Sequence, residues 1–196
     1  MKPPRSKAGA KPGGMRIIAG EWRGRRLFAP EGEATRPTSD RTRETLFSML
    51  VSRLGSLEGL KAADLFAGSG ALGLEALSRG CAHCLFVDSD AAAIRAIRRN
   101  IANMQAQSRS DVRASSALSL GPAREALDLV MLDPPYASGA GAVAIDKLAR
   151  LGWIGPQTWV SLETMRDEGV AVKGFEIAAE RTVGKAQLYL LRQSAT

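Results

Sequence analysis

"KAADLFAGSGALGLEALSRG", residues 61–80, decides the fold. Its first six residues form a short apolar run of strand length, and residues 71–79 are rich in Leu and Ala up to Gly80, the pattern of a helix and its stop. Between them lies Gly68-x-Gly70-x-x-Gly73. Glycines there permit a tight turn and a close approach of backbone to a ligand. A strand that passes through a glycine loop straight into a helix is the opening unit of an alternating α/β sheet. In such sheets, ligands bind beyond the carboxyl ends of the strands.

The rest of the chain continues the alternation. Strands are expected at "CLFVD" (84–88), "DVRAS" (111–115), "LDLVMLD" (127–133) and "TWVSLE" (158–163), and at 175–182 and 186–192, with Gly184 in the turn between the last two. The run 127–133 is strongly apolar between its two acids, as in a parallel strand covered on both faces. Helices are expected over 36–54, 91–107 and 141–151. The first has Thr38, Ser39 and Asp40 as N-caps and Leu46, Phe47, Leu50 and Leu54 on one face. The second repeats Ile94, Ile97, Ile101 and Met104 at helical spacing, and its Arg95, Arg98 and Arg99 read as a solvated face. This predicts a doubly wound, mostly parallel, seven-stranded Rossmann-like α/β sheet ending in an antiparallel hairpin, with a small basic N-terminal extension.

Length and composition agree with one such domain over residues 36–196. The 196 residues are 45% apolar, enough for one core. No apolar stretch approaches the roughly 18 residues of a membrane span, and no secretory h-region follows the basic start, so a cytoplasmic protein is expected. Cys81-Ala82-His83-Cys84 has redox or zinc spacing. It precedes a strand instead of following one, and the chain has no other Cys or His for a second ligand pair. Buried thiols are the expectation, with no metal.

The formal net charge is +7, and residues 1–26 hold eight Lys or Arg against the single acid Glu21, leaving the remainder balanced. Residues 1–14 read as a flexible basic tail. Residues 15–35 read as a nucleic-acid-contacting segment, because "MRIIAGEWRGRRL" interleaves Arg16, Arg23, Arg25 and Arg26 with Trp22, a face on which a base could stack.

Two further acids mark strand ends. Asp88 lies 20 residues after Gly68, where a carboxylate can accept both hydroxyls of a ribose. Nicotinamide dinucleotide and S-adenosylmethionine (SAM) both suit such a loop. Asp64, four residues before Gly68, favours a cofactor with an ammonium group and no phosphates, although it could also cap the loop amides. Then "LDPPYASG" (132–139) closes the apolar strand with two prolines. They remove two N–H donors and fix two φ angles, which takes the backbone out of the ladder. An exocyclic base amine is a poor nucleophile because its lone pair is delocalised into the ring. The Asp133 carboxylate and the Pro134 carbonyl can accept its two N–H bonds as it pyramidalises, and Tyr136 offers a stacking face.

The glycine loop followed by D-P-P-Y resembles class I SAM-dependent amino-methyltransferases. With "MRIIAGEWRGRRL" and "RPTSDRTRETLF" added, the chain from Met15 to about Arg192 resembles the bacterial 16S rRNA guanine-N2 methyltransferases. The resemblance implies that Gly68, Ser69 and Gly70 line the methionine and ribose of SAM, that Asp88 with Ser89 holds the ribose, and that Asp133, Pro134, Pro135 and Tyr136 form the guanine site. It places Arg36 and Thr38 over the reaction site. Where the family tends to carry Asp or Asn against the adenine amine, this chain has Ser116 beside Ala117. It further implies direct in-line transfer to rRNA, in the small ribosomal subunit or an assembly intermediate, by a monomer. Open alternatives are a DNA adenine or cytosine methyltransferase, a release-factor glutamine methyltransferase, an NAD-binding oxidoreductase and a non-catalytic RNA-binding module.

Overall fold

Alternate residues of the central strands face opposite sides, and both sides are apolar. In β2 (His83–Asp88), Cys84 and Phe86 join one core and Leu85 and Val87 the other. The same split divides β4 (Leu129–Leu132), where Leu129 and Met131 lie opposite Val130 and Leu132. Such strands need cover on both faces. The computed structural model describes residues 14–31 and 39–194 and shows that cover. Helices α1 (Asp40–Leu54), α2 (Ala71–Ser78) and α3 (Ala91–Met104) serve one core, and α4 (Ala140–Arg150) serves the other.

The remaining strands are β1 (Lys61–Leu65), β3 (Ser110–Ala114), β5 (Trp159–Met165), β6 (Phe175–Val183) and β7 (Ala186–Gln193). The seven-stranded order is β3-β2-β1-β4-β5-β7-β6. The first five strands are parallel, and β7 runs antiparallel to both its neighbours. Gly184, at φ 60°, turns the β6–β7 hairpin. β1 and β4 adjoin at the centre and their connections leave in opposite directions, so the switch point falls between them. This is the sheet expected from the sequence.

Some boundaries move for local reasons. α1 starts at Asp40 because the Ser39 hydroxyl accepts from the Thr42 N–H at 3.1 Å. α3 stops at Met104 because Gln105 adopts a left-handed conformation at φ 56° and turns the chain toward β3. β4 ends at Leu132, since the next residues lead into the prolines.

The N-terminal extension is the main correction. Residues 14–31 are docked, not a separate arm. Arg16 and Arg26 form an antiparallel bridge, and Ile17, Trp22 and Leu27 belong to the same buried core as α2 and α3. Trp22 is only 5% exposed, so it offers no face to a base. A count of charges could not show that the interleaved apolar residues share one inward side. Three polar residues hold the segment. Glu75 of α2 is fully buried and accepts from Ile18 N–H at 2.8 Å, from Ala19 N–H at 3.0 Å and from Arg79 Nε at 2.7 Å. Ser78 Oγ accepts from Trp22 N–H and donates to the Ala19 carbonyl. Asn100 of α3 pairs with both the N–H and the carbonyl of Phe28. The approach is so close that a Cβ on Gly20 would lie 1.8 Å from the Ser78 carbonyl oxygen.

Glu75→Ala should therefore cost about 3–5 kcal/mol, the range for removing one partner from a buried ion pair. Denaturant unfolding would show the loss, and protease cleavage within residues 14–31 should rise with it. Unchanged stability would mean that the segment is held by its apolar side chains with Ser78 and Asn100, and not by Glu75.

Candidate cofactor and substrate site

A cavity of about 720 Å³ opens at the carboxyl ends of β1, β2, β4 and β5. That is within the range of small-molecule sites. The strand ends supply Asp64, Asp88, Asp133 and Glu163. Met15, Ala29 and Pro30 close one side, Ser39, Arg41 and Thr42 at the start of α1 another, and Val183, Gly184 and Lys185 of the hairpin turn a third.

The glycine loop lies in this wall, tied down by three side chains. Asp88 accepts from Gly68 N–H at 2.8 Å and, through its other oxygen, from Asp90 N–H at 2.9 Å. Asp64 accepts from Gly73 N–H at 2.8 Å. Asn100 donates to the Ser69 carbonyl at 2.9 Å. Gly70 takes φ 77° at the N-cap of α2. Phe66, just before the loop, has φ 59°, and Ala137, just after the D-P-P-Y run, has φ 56°. Left-handed backbone at a non-glycine residue costs on the order of 1–3 kcal/mol and clusters at functional sites. Both strained residues flank the cavity-lining motifs.

Asp64 is buried, and its carboxyl is pushed well above the usual carboxylate range. Burial is the largest cause, and the neighbouring Asp133 and Asp88 charges add to it, against the stabilising Gly73 N–H. Of the two sequence readings of Asp64, the cap on the loop is seen directly, and its carboxyl lies on the cavity wall with those of Asp88 and Asp133. Such a site favours a cation and disfavours a pyrophosphate.

The D-P-P-Y run leaves the sheet beside this loop. Asp133 is partly exposed on the cavity wall, and Pro134 is buried. The Tyr136 hydroxyl donates to Glu163 at 2.8 Å. Ser138 Oγ donates to the Pro135 carbonyl at 2.6 Å, and Ala137 N–H to Glu168 at 3.2 Å. A segment with two prolines can thus be fixed by side chains where no ladder exists.

Of the residues singled out from the sequence, Asp64, Gly68, Ser69, Asp88, Ser89, Asp133, Pro134, Pro135 and Tyr136 all line this one cavity. Gly70 lies beneath the wall, where an added Cβ would come 3.3 Å from Ile97 and Phe86. Ser116 and Ala117 do not line the cavity: the Ser116 hydroxyl caps a 3₁₀ turn at Leu118 N–H, and Ala117 is buried in the α4-side core. Arg36 and Thr38 lie outside the described residues. Arg16, Arg23, Arg25 and Arg26 are exposed away from the wall. The sequence reading missed Glu163, Met15, Arg41 and Lys185. Glu163 carries the signal that marked Asp64 and Asp88, an acid near the carboxyl end of an apolar strand. The other three reach the cavity only through tertiary packing.

Cys81 and Cys84 are buried, and burial raises both thiols, Cys81 to about 12, so neither is a reactive thiolate. Among the described residues, no cluster of three His, Cys, Asp or Glu could hold a metal, and no helix is long and apolar enough to cross a membrane.

Comparison with known proteins places the chain among close relatives. The family model Conserved hypothetical protein 95 matches residues 15–192. The chain is 33% identical to Ribosomal RNA small subunit methyltransferase D of Escherichia coli, over 93% of this chain and 92% of the relative. It is 35% identical to the protein of the same name from Haemophilus influenzae, over 88% of this chain and 90% of that one. The solved structure of yhhF from Escherichia coli superposes with a TM-score of 0.81 at 35% identity, covering 94% of this chain and all of the other.

The raised Asp64 carboxyl makes a stability prediction. A carboxyl raised in the folded state stabilises the fold below the ordinary carboxylate range, and that contribution is lost as pH rises through the raised value. Asp64→Asn retains an oxygen acceptor for Gly73 N–H but cannot ionise. Its stability relative to wild type should grow as pH rises from about 4 toward neutrality, measured by thermal unfolding across pH. A constant difference at every pH would show that Asp64 does not titrate in this window.

Proposed function

The chain belongs to the Conserved hypothetical protein 95 family, with the small-subunit ribosomal RNA methyltransferases D among its relatives, and on that premise we propose that it methylates the exocyclic N2 amine of a guanine in small-subunit rRNA. The observation that carries this reading is that the glycine loop and the D-P-P-Y run open onto the same cavity. One side would take the cofactor and the other the amine.

The residues fit SAM. The volume suffices, the backbone of Gly68 and Ser69 is open to a ligand, and the carboxylates of Asp88 and Asp133 suit a ligand that carries both an ammonium and a sulfonium. When bound, SAM supplies an electrophilic methyl group. Asp88 keeps acceptor capacity beyond its two backbone bonds, since a carboxylate offers about four lone-pair sites, and would take the ribose hydroxyls with Ser89 beside it.

The chain's own contribution to the chemistry lies at Asp133 to Tyr136. The Asp133 carboxylate and the Pro134 carbonyl would accept the two amine N–H bonds, which localises the lone pair on nitrogen as it attacks. Rigid prolines hold these acceptors before the substrate arrives, so little reorganisation is needed as charge develops. Tyr136, oriented by its bond to Glu163, would give the base a stacking face. Outside the cavity, Arg16, Arg23, Arg25 and Arg26 would contact RNA phosphate. Arg36 and Thr38 would act over the reaction site. The protein would work in the cytoplasm as a monomer, on a ribosomal small subunit or its assembly intermediate.

Two variants separate the two sides of the cavity. Asp88→Ala should weaken SAM binding by about 1.5–3 kcal/mol, the worth of charge-assisted hydrogen bonds, in a protein that stays folded. Asp133→Ala should leave SAM affinity nearly unchanged and slow single-turnover methyl transfer by about two orders of magnitude. Calorimetry with SAM and with NAD tests the cofactor. Labelled SAM with naked small-subunit rRNA and with assembled subunits, followed by mapping of the modified nucleotide, tests the substrate. Transfer to a DNA amine instead of rRNA, or binding of NAD in place of SAM, would overturn the proposal.

A further inference from the structure

The outer face of α3 carries Arg95, Arg98 and Arg99, all exposed and spaced three and four residues apart. No acid lies between Ala91 and Met104 to offset them. Like charges at this spacing repel along a helix. The N-terminal segment adds to the same side. Arg99 stacks on the Phe28 ring, 3.4 Å from its centroid. Arg25 donates to the Asn103 carbonyl, and Asn103 donates to the Arg26 carbonyl at 3.5 Å. Arg16 sits opposite Arg26 in the antiparallel bridge, another like-charge pairing that costs stability. The one acid among residues 14–30, Glu21, is engaged with Arg109 at 3.3 Å.

The fold thus gathers six arginines from two chain segments, and Glu21, the acid that lies among them in sequence, is paired with Arg109 instead. Among the described residues, Arg95, Arg98, Arg99, Arg16, Arg25 and Arg26 show no ion pair that would offset the repulsion. This face also reaches the cavity. Phe28, beneath Arg99, leads directly into Ala29 and Pro30 of the cavity wall, and Asp90, the N-cap of α3, lines the same cavity.

We propose that the α3 arginines and the docked N-terminal segment form one continuous surface that grips the phosphate backbone of folded RNA flanking the target nucleotide. The inference rests on an RNA substrate and adds to it the surface that holds that substrate. Guanidinium groups suit phosphates through paired N–H donors. Their mutual repulsion is relieved when a polyanion lies across them. Arg95, Arg98 and Arg99 are then substrate-positioning residues, remote from the reacting amine.

The test uses the full chain with in vitro transcribed small-subunit rRNA and, in parallel, with assembled small subunits lacking the methyl group. Arg95, Arg98 and Arg99 are replaced together: Arg95→Gln, Arg98→Gln and Arg99→Gln. Losing three phosphate contacts should lower the slope of log affinity against log salt by about 2 and weaken binding at least tenfold at low salt. KM for RNA should rise correspondingly, while SAM affinity and the rate at saturating RNA hold. Because Arg99 packs on Phe28, the triple replacement could loosen the segment. The double variant Arg95→Gln/Arg98→Gln leaves that stack in place and should show about two-thirds of the slope change. An unaltered slope and KM in the folded double variant would overturn the surface while leaving rRNA methylation standing. A wild-type protein that transfers no methyl group to naked rRNA or to assembled small subunits at any salt would overturn both.

Discussion

Backbone N–H groups in the turn between β1 and α2 have no ladder to join, and the chemistry at the strand ends follows from how they are met. Asp88 takes Gly68 N–H and Asp64 takes Gly73 N–H. Meeting them with carboxylates fixes the loop, yet it also gathers negative charge around one small volume, and Asp133 adds to it from β4. Burial is the first cause of the raised Asp64 carboxyl, and the neighbouring charges add an electrostatic cost. A ligand bearing positive charge lowers that cost and one bearing phosphates raises it. The same hydrogen bonds that shape the loop therefore select the kind of cofactor it suits.

The second half of the site depends on the opposite device. β4 stops pairing because prolines carry no N–H, and the following segment is held by side-chain bonds from Tyr136, Ser138 and Glu168. Carbonyl and carboxylate groups can then face a substrate, since they are not committed to a sheet. Left-handed residues at Phe66 and Ala137 lie beside the two devices. The stable parallel sheet beneath absorbs the strain of both.

Glu75 links this site to the basic N-terminal segment. By accepting two backbone N–H groups from residues 18 and 19, it seats the segment on α2, and Met15, Ala29 and Pro30 become part of the cavity wall. Burying Ile17, Trp22 and Leu27 leaves the intervening arginines outside. One stretch of chain therefore contributes a core, a wall and a charged surface.

The alternation of strands and helices, the glycine loop and the acids at strand ends were legible without coordinates. Each is a local signal, set by period, by backbone freedom or by the end of an apolar run, and the family resemblance added Ser69, Ser89 and Pro135, so the sheet and nine cavity residues could be named from sequence. Glu163 was legible in the same terms, although it was passed over. The fate of Trp22 was not, because interleaved arginine and apolar residues look alike whether the segment docks or extends; only the matching donors and acceptors of Glu75, Ser78 and Asn100 decide it. Ser116, assigned by resemblance, accepts from Leu118 N–H, a local bond that only the coordinates show. Arg41 and Lys185 face the cavity together although nearly 150 residues separate them, and Arg99 meets Phe28 across 71. Sequence fixes what a residue can bond. Which partner lies within reach is decided by packing, because residues distant along the chain meet only when both cores close.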